Sequence, residues 1–263
     1  MTPTKALSNE PIDAVYTWAG GDAAVLRSSL RSLDKYAPWV RKVYVVTGGQ
    51  PPDWLQGEHP RLAVVKQDDL FRDRAAAAAA NAESIAWQVF RIPGLSRQFL
   101  FLDHNYFLGR TLTPADFVTA KGGNRFYVED SEIPAGSAAE KLLNSRFGDR
   151  SPRKRPARTP RFFDKNFLEE VNRLWERNIK AGGVSLETLY FYYLVECPQQ
   201  YGIHEKVAIN MGMLQTTPLA DAKKLASMFF TRPRFLCLEG DAPGFGARLV
   251  LKLYYWRRSS FEK

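Results

Sequence analysis

The segment Phe99–Arg110, FLFLDHNYFLGR, restricts the fold more than any other part of the chain. Four consecutive apolar residues, Phe99 to Leu102, give way to Asp103-His104-Asn105 and then to Tyr106-Phe107-Leu108 and Gly109. An apolar run of strand length with no polar alternation suits a strand covered on both faces of an α/β sheet. Ligands of open α/β sheets gather at the carboxyl ends of the strands. The polar triplet Asp103-His104-Asn105 therefore falls where such a fold keeps its chemistry.

The flanking sequence supplies the rest of that sheet. Ile12–Trp18 (IDAVYTW), Val40–Thr47 (VRKVYVVT) and Leu62–Lys66 (LAVVK) each read as strands. Between the first two, Val25, Leu26, Ser29, Leu30 and Leu33 recur at helical spacing over Ala23–Lys35. The alanine-rich Arg74–Phe90 predicts one strong helix. This β-α-β-(β)-α-β order predicts a mostly parallel sheet with covering helices in a single large domain over 12–256. Its core lies in 12–120, and 121–256 forms a more helical part. Residues 1–11 are expected as an N-terminal arm and 257–263 as a C-terminal tail. Arg125–Glu129 and Phe235–Leu238 are further strand candidates. Lys141–Phe147, Phe163–Glu176, Ser185–Val195 and Leu249–Trp256 are helix candidates. In Ser185–Val195 the run Tyr190-Phe191-Tyr192-Tyr193 reads as core packing.

The formal net charge of +9 favours anionic partners. The basic stretch 148–161, GDRSPRKRPARTPR, is the clearest loop and admits two readings: a solvated, mobile linker, or a loop that contacts nucleic acid or a phosphorylated glycan. No apolar run is long enough to span a membrane. The opening MTPTKALSNEPID has neither a signal-peptide core nor an Arg-rich presequence. Cys197 and Cys237 lie far apart without a CxxC partner, which favours buried thiols in a reducing intracellular or organellar compartment over zinc or a disulfide.

Several stretches together resemble one family. They are IDAVYTW with its Gly-Asp turn, LRSSLRSLDKYAPWVRKVYVVTGGQPPDWL, RIPGLSRQFLFLDHNYFLG and the terminal SSFEK. They resemble the stealth family of capsular-polysaccharide phosphotransferases and the N-acetylglucosamine-1-phosphotransferase catalytic subunit. The resemblance implies a nucleotide-sugar-transferase-like (Rossmann-like) fold and transfer of a sugar-1-phosphate from a nucleotide sugar to a glycan hydroxyl. It places Asp13, Asp22, Asn105 and Asp241 at the substrate, and Asp103, His104 and Arg158 at the catalytic positions. Magnesium or manganese would be held through Asp103.

The matching positions depart from the family in their polar residues. The family's Asn-Asp-Asp after the central strand is Asp103-His104-Asn105, its His-x-Pro is Arg158-Thr159-Pro160, and its Cys-Leu-Asn-Asp-Asn is Cys237-Leu238-Glu239-Gly240-Asp241. Magnesium prefers carboxylate oxygens, and an Asn carbonyl cannot offset its charge. Guanidinium does not deprotonate, so Arg158 cannot take a histidine's acid–base role, although it can bind phosphate. Each survivor also has a plain structural reading: Asp13 as a strand-start residue, Asp22 as a helix N-cap, His104 as a satisfied loop histidine. The expectation is a degenerate stealth-fold protein with impaired catalysis. It would need no cofactor and would serve as a binding or structural subunit of a larger complex. The alternative is a working hexose-1-phosphoryltransferase that uses magnesium or manganese.

Overall fold

A computed structural model describes residues 10–57, 59–181, 185–208, 212–214, 227, 230–238 and 243–263. The central sheet has five strands: β1 (Ile12–Trp18), β2 (Val40–Thr47), β3 (Leu62–Lys66), β4 (Gln98–Asp103) and, further along the chain, Arg161–Asp164. Counted in chain order, β5 is Tyr106–Leu108, β6 Arg125–Glu132 and β7 Lys154–Pro156, so Arg161–Asp164 is β8. Glu205–Ala208, Gly212–Leu214 and Phe235–Leu238 are β9, β10 and β11. The central order is β3-β2-β1-β4-β8. The first four strands are parallel and β8 runs antiparallel to β4. Two three-stranded sheets, β10-β11-β5 and β7-β6-β9, complete the α/β domain.

The unbroken apolar run of β4 is buried on both faces. Phe99 and Phe101 enter one core with Trp87, Phe163 and Tyr190, while Leu100 and Leu102 enter the other with Tyr16, Leu26 and Leu30. Alternate side chains of a strand point to opposite faces, so each layer takes every second residue. Each fully buried side chain of this size contributes roughly 1.5–3 kcal/mol. β4 therefore ties both layers together, as do β1 and β2.

Helix α1 (Ala23–Tyr36) covers one face. The Asp22 carboxylate accepts a hydrogen bond from the Ala24 amide at 2.9 Å, so Asp22 is the N-cap. Beside the inward residues Val25, Leu26, Leu30 and Leu33 the helix buries Ser28, Ser29 and Ser32, and the last two face β5. Ser29 donates to the Tyr106 carbonyl, and the Leu108 amide donates to Ser32 Oγ at 3.0 Å. These serines satisfy buried backbone groups of β5 that the sheet leaves open.

The Arg74–Phe90 segment is not one helix. It forms α2 (Arg74–Ala78), α3 (Ala82–Ala86) and a short 3-10 turn, Val89–Arg91. Asn81 breaks it: its side chain accepts from the Ser84 amide, and Ser84 Oγ accepts from the Asn81 amide, a capping box that starts a new helix. Further helices among the described residues are α4 (Ala138–Phe147), α5 (Lys165–Ala181), α6 (Leu186–Glu196), α7 (Pro198–Tyr201) and α8 (Phe245–Tyr254). Tyr190 to Tyr193 on α6 are all buried in the core.

The basic stretch 148–161 is not a solvated linker. Arg153 is buried, with its guanidinium on Asn144 Oδ1, the Gly148 carbonyl and Glu196. Arg150 pairs with Glu196 at 2.5 Å, Lys154 donates to the Asp130 carbonyl at 2.7 Å, and residues 154–156 form β7. Arg155 and Arg158 remain exposed. Both cysteines are free; Cys237 is buried, whereas Cys197 is half-buried rather than enclosed. The segment expected as a C-terminal tail is pinned, with Phe261 and Glu262 buried. Of the expected N-terminal arm, residues 1–9 lie outside the described residues. Among the described residues no helix is long and apolar enough to cross a membrane.

Candidate functional site

After β1 the chain crosses through α1 to β2, whereas β4 pairs on the other side of β1. The direction of winding thus reverses between β1 and β4, and the crevice at their carboxyl ends is the place where such sheets bind ligands. From β1 come Thr17, Trp18 and the Gly20-Gly21 turn. From β4 come Asp103, His104 and Asn105. Gly20 and Gly21 both adopt positive φ, +115° and +106°, a conformation that suits glycine. A Cβ on Gly21 would lie 3.7 Å from His104 Nε2, so turn and triplet are neighbours.

Asp103 is the centre of this crevice. Thr17 Oγ1 donates to its Oδ1 at 3.0 Å, and a hydrogen bond from Tyr106 also supports its charge. Arg161, on β8, stands in the same cluster: its Nη2 donates to the Tyr106 hydroxyl at 3.3 Å, and its Nη1 pairs with Glu187 Oε1 at 2.6 Å. The Arg161 side chain is only 9% exposed. Burial raises the Asp103 carboxyl above its ordinary range, and the Arg161 charge partly opposes that rise. Burial acts against the Arg161 charge as well, but Glu187, Tyr106 and Asp103 outweigh it and leave the guanidinium more firmly protonated than usual.

A third carboxylate closes the cluster. The Leu186 amide, at the start of α6, donates to Glu83 Oε1 on α3. Burial first, and the neighbouring Glu187 second, push the Glu83 carboxyl up to about 7. A raised carboxyl binds protons more tightly when folded, so this group lowers stability as pH rises from about 4.5 to about 7. Glu83→Gln keeps an acceptor for the Leu186 amide and removes the charge. It is expected to flatten that pH dependence and to stabilise the fold above neutrality by on the order of 1–3 kcal/mol, read from thermal unfolding across this range.

The other expected site residues fall elsewhere or into framework roles. Asp13 is fully buried at the start of β1, about 13 Å along the strand from Thr17 at the usual rise per residue. There it holds Arg41 through two contacts of 2.8 and 2.6 Å and accepts from the Ser96 amide. Asp22 caps α1 and pairs with Arg248 at 2.9 Å. Asn105 is a clamp: its Nδ2 donates to the Leu238 carbonyl, and its own carbonyl accepts from the Leu238 amide. Arg158 is exposed; the guanidinium in the crevice belongs to Arg161. Asp241, with Glu239 and Gly240, lies outside the described residues.

The residues present fit a hard divalent cation poorly. Asp103 is the one carboxylate of the triplet, and a guanidinium already shares its field. Asn105 offers only a neutral Oδ1, which cannot offset cation charge, and its Nδ2 is held by the Leu238 carbonyl. Among the described residues no group of three or more His, Cys, Asp or Glu side chains is placed to hold a metal. Arg161, Glu187 and Glu83 were missed in the sequence. Their signals were modest: an arginine directly before Phe162-Phe163, and a lone acid in the first turn of an otherwise apolar helix.

The fold is that of nucleotide-sugar glycosyltransferases. It aligns with the galactosyltransferase LgtC in complex with donor and acceptor sugar analogues at a TM-score of 0.53, with 12% identity over 92% of this chain and 95% of that one. It also aligns with the bifunctional glycosyltransferase WbbM at 0.52, with 11% identity, covering 97% of this chain and 51% of that one. Residues 21–126 match the family model for stealth protein conserved region 2. The exopolysaccharide phosphotransferase SCO6023 of Streptomyces coelicolor is 34% identical over 203 residues, 62% of this chain and 34% of that protein. The human N-acetylglucosamine-1-phosphotransferase subunits alpha/beta protein is 36% identical over 107 residues, 41% of this chain and 8% of that protein. The chain thus carries the stealth conserved region 2 and is similar to phosphotransferases beyond it. The matched segment spans about a third or less of the length of these curated relatives.

Proposed function

We propose that this domain descends from sugar-1-phosphate transferases, has impaired transfer chemistry, and serves as a binding or structural subunit of a larger assembly with an anionic partner. The observation that carries the reading is the state of Asp103. The one carboxylate of the strand-end triplet is drawn into an internal network with Thr17, Tyr106 and Arg161. A carboxylate so engaged is a poor ligand for the cation that a diphosphate donor requires. The positive surface for an anionic partner is supported by Arg155 and Arg158, exposed on the stretch around β7.

The second reading, an active hexose-1-phosphoryltransferase, is favoured by Glu83. A carboxyl raised to about 7 near the strand-end crevice suits a general base for an acceptor hydroxyl. Sugar-1-phosphate transfer leaves a nucleoside monophosphate, so the test is direct. The full chain is incubated with UDP- and GDP-hexoses, a glycan acceptor and magnesium or manganese. The expected result is no UMP or GMP above the level of Asp103→Asn. Release that depends on Asp103 and Glu83 overturns the impaired reading.

A further inference from the structure

Helix α8 carries an outward face that the fold does not use. Its inward residues Ala247, Leu251 and the following Tyr255 are buried in a core with Val25, Phe107, Leu236 and Leu238. Its outward apolar residues are Phe245 at 82% exposure, Leu249 at 46%, Leu253 at 57% and Trp256 at 67%. Phe245, Leu249 and Leu253 follow one another at spacings of four residues and so lie along one line of the helix, and Trp256 is exposed just beyond its C-terminal end. Arg248 and Lys252 are exposed on the same side, and Arg257 and Arg258 follow directly. No acidic residue occurs from Gly244 to Ser260. Four large apolar side chains exposed in a row form a patch of the kind that marks an interaction site.

The charge decides among occupants. A second copy of the chain on this face would set Arg248 and Lys252 against their own counterparts, with no acid on the helix to offset them. An anionic lipid surface meets both halves of the pattern. Basic side chains are drawn to the headgroups, and a helix with Trp, Phe and Leu on its face lowers them into the acyl boundary. We propose that the outward face of α8 docks this domain on an anionic lipid bilayer, with Phe245 and Trp256 as anchors at either end. Arg248 also pairs with Asp22, next to the Gly20-Gly21 turn. Docking through α8 therefore holds the strand-end crevice beside the membrane surface.

The test uses the full chain and vesicles of phosphatidylcholine with or without phosphatidylserine. Co-sedimentation is expected with phosphatidylserine vesicles at low salt, weakened by added salt. A blue shift of tryptophan emission on binding should disappear in Trp256→Phe. Leu249→Ser with Leu253→Ser should lower partitioning roughly tenfold or more. Lys252→Glu should lower it about fivefold or more. These side chains are exposed, so thermal unfolding of both variants should match the parent. Failure to bind phosphatidylserine vesicles at low salt overturns the proposal. So does binding that survives the leucine double substitution, which would place it on other basic residues. Self-association, or capture of an acidic protein segment without vesicle binding, lost in the same variants, would assign the face to a protein contact and also overturn it.

Discussion

Arg161→Met is expected to destabilise the domain by about 3–5 kcal/mol at pH 8, measured by urea unfolding. Arg161 is the one cation that faces Glu187, Asp103 and Glu83 together among the described residues. Removal of a buried partner leaves charge with no compensation, and that penalty exceeds what the intact pair contributes. The effect carries a pH signature. In the parent, Arg161 opposes the burial that lifts Asp103. Without it the carboxyls titrate higher still, so the folded state holds protons that the unfolded state has released. Stability then falls as pH rises through that window, and the deficit of the variant should shrink toward pH 5. A variant with Met at both 161 and 187 should recover part of the loss, because the uncompensated Glu187 charge is gone. A uniform deficit at all pH values would mean that Arg161 acts through packing alone.

Glu262→Ala is expected to cost a similar amount, about 3–5 kcal/mol. For a domain of this size that corresponds to roughly 6–15 °C in Tm. Glu262 grips Arg31 through contacts of 2.6 and 2.7 Å, and it accepts from the Ser259 amide at 2.9 Å. Arg27 Nε lies 3.6 Å from it. Arg31 is largely buried and would be left with the Tyr255 carbonyl. Burial works against the Glu262 charge, but the Arg31 pair and the Ser259 contacts outweigh it and hold the carboxyl below its ordinary value. A depressed carboxyl stabilises above its unfolded pKa and loses that contribution as pH falls through the folded value. Parent and variant should therefore converge in acid. The backbone around it adds closure: the Gln56 amide donates to the Phe261 carbonyl, and the Lys263 amide to the Trp54 carbonyl. SSFEK thus acts as a latch across α1 and the loop after β2.

That latch explains one of the motifs by which the chain resembles the stealth family. IDAVYTW is β1, and KVYVVT lies within β2. RQFLFLD contains all of β4. These segments are recognisable because they are framework: their apolar residues are fixed by burial on both faces of one sheet. The polar residues at the strand ends answer to chemistry instead, and these are the positions where the resemblance implies a departure from the family pattern.

What the sequence determined by itself was the parallel core. Ile12–Trp18, Val40–Thr47 and Leu62–Lys66 are strands over the residues expected, and α1 begins at Ala23 with the stripe read from its spacing. Local hydrophobic pattern suffices there, because β1 and most of β2 are buried on both faces, β3 is half-buried at the sheet edge, and one face of the helix is buried. The alanine run at 75–80 shows the limit: helix propensity is high throughout, yet the Asn81 cap restarts the helix. Only the tertiary structure decided the site. Strand β8 is four residues long and straddles the end of the expected basic loop, 148–161, and the start of the expected helix, Phe163–Glu176, so Arg161 had no visible place beside Asp103. Glu83, Asp103, Arg161 and Glu187 lie on four different elements. Their mutual charge arises from burial and proximity across the fold, and neither quantity is written in the spacing of any one segment.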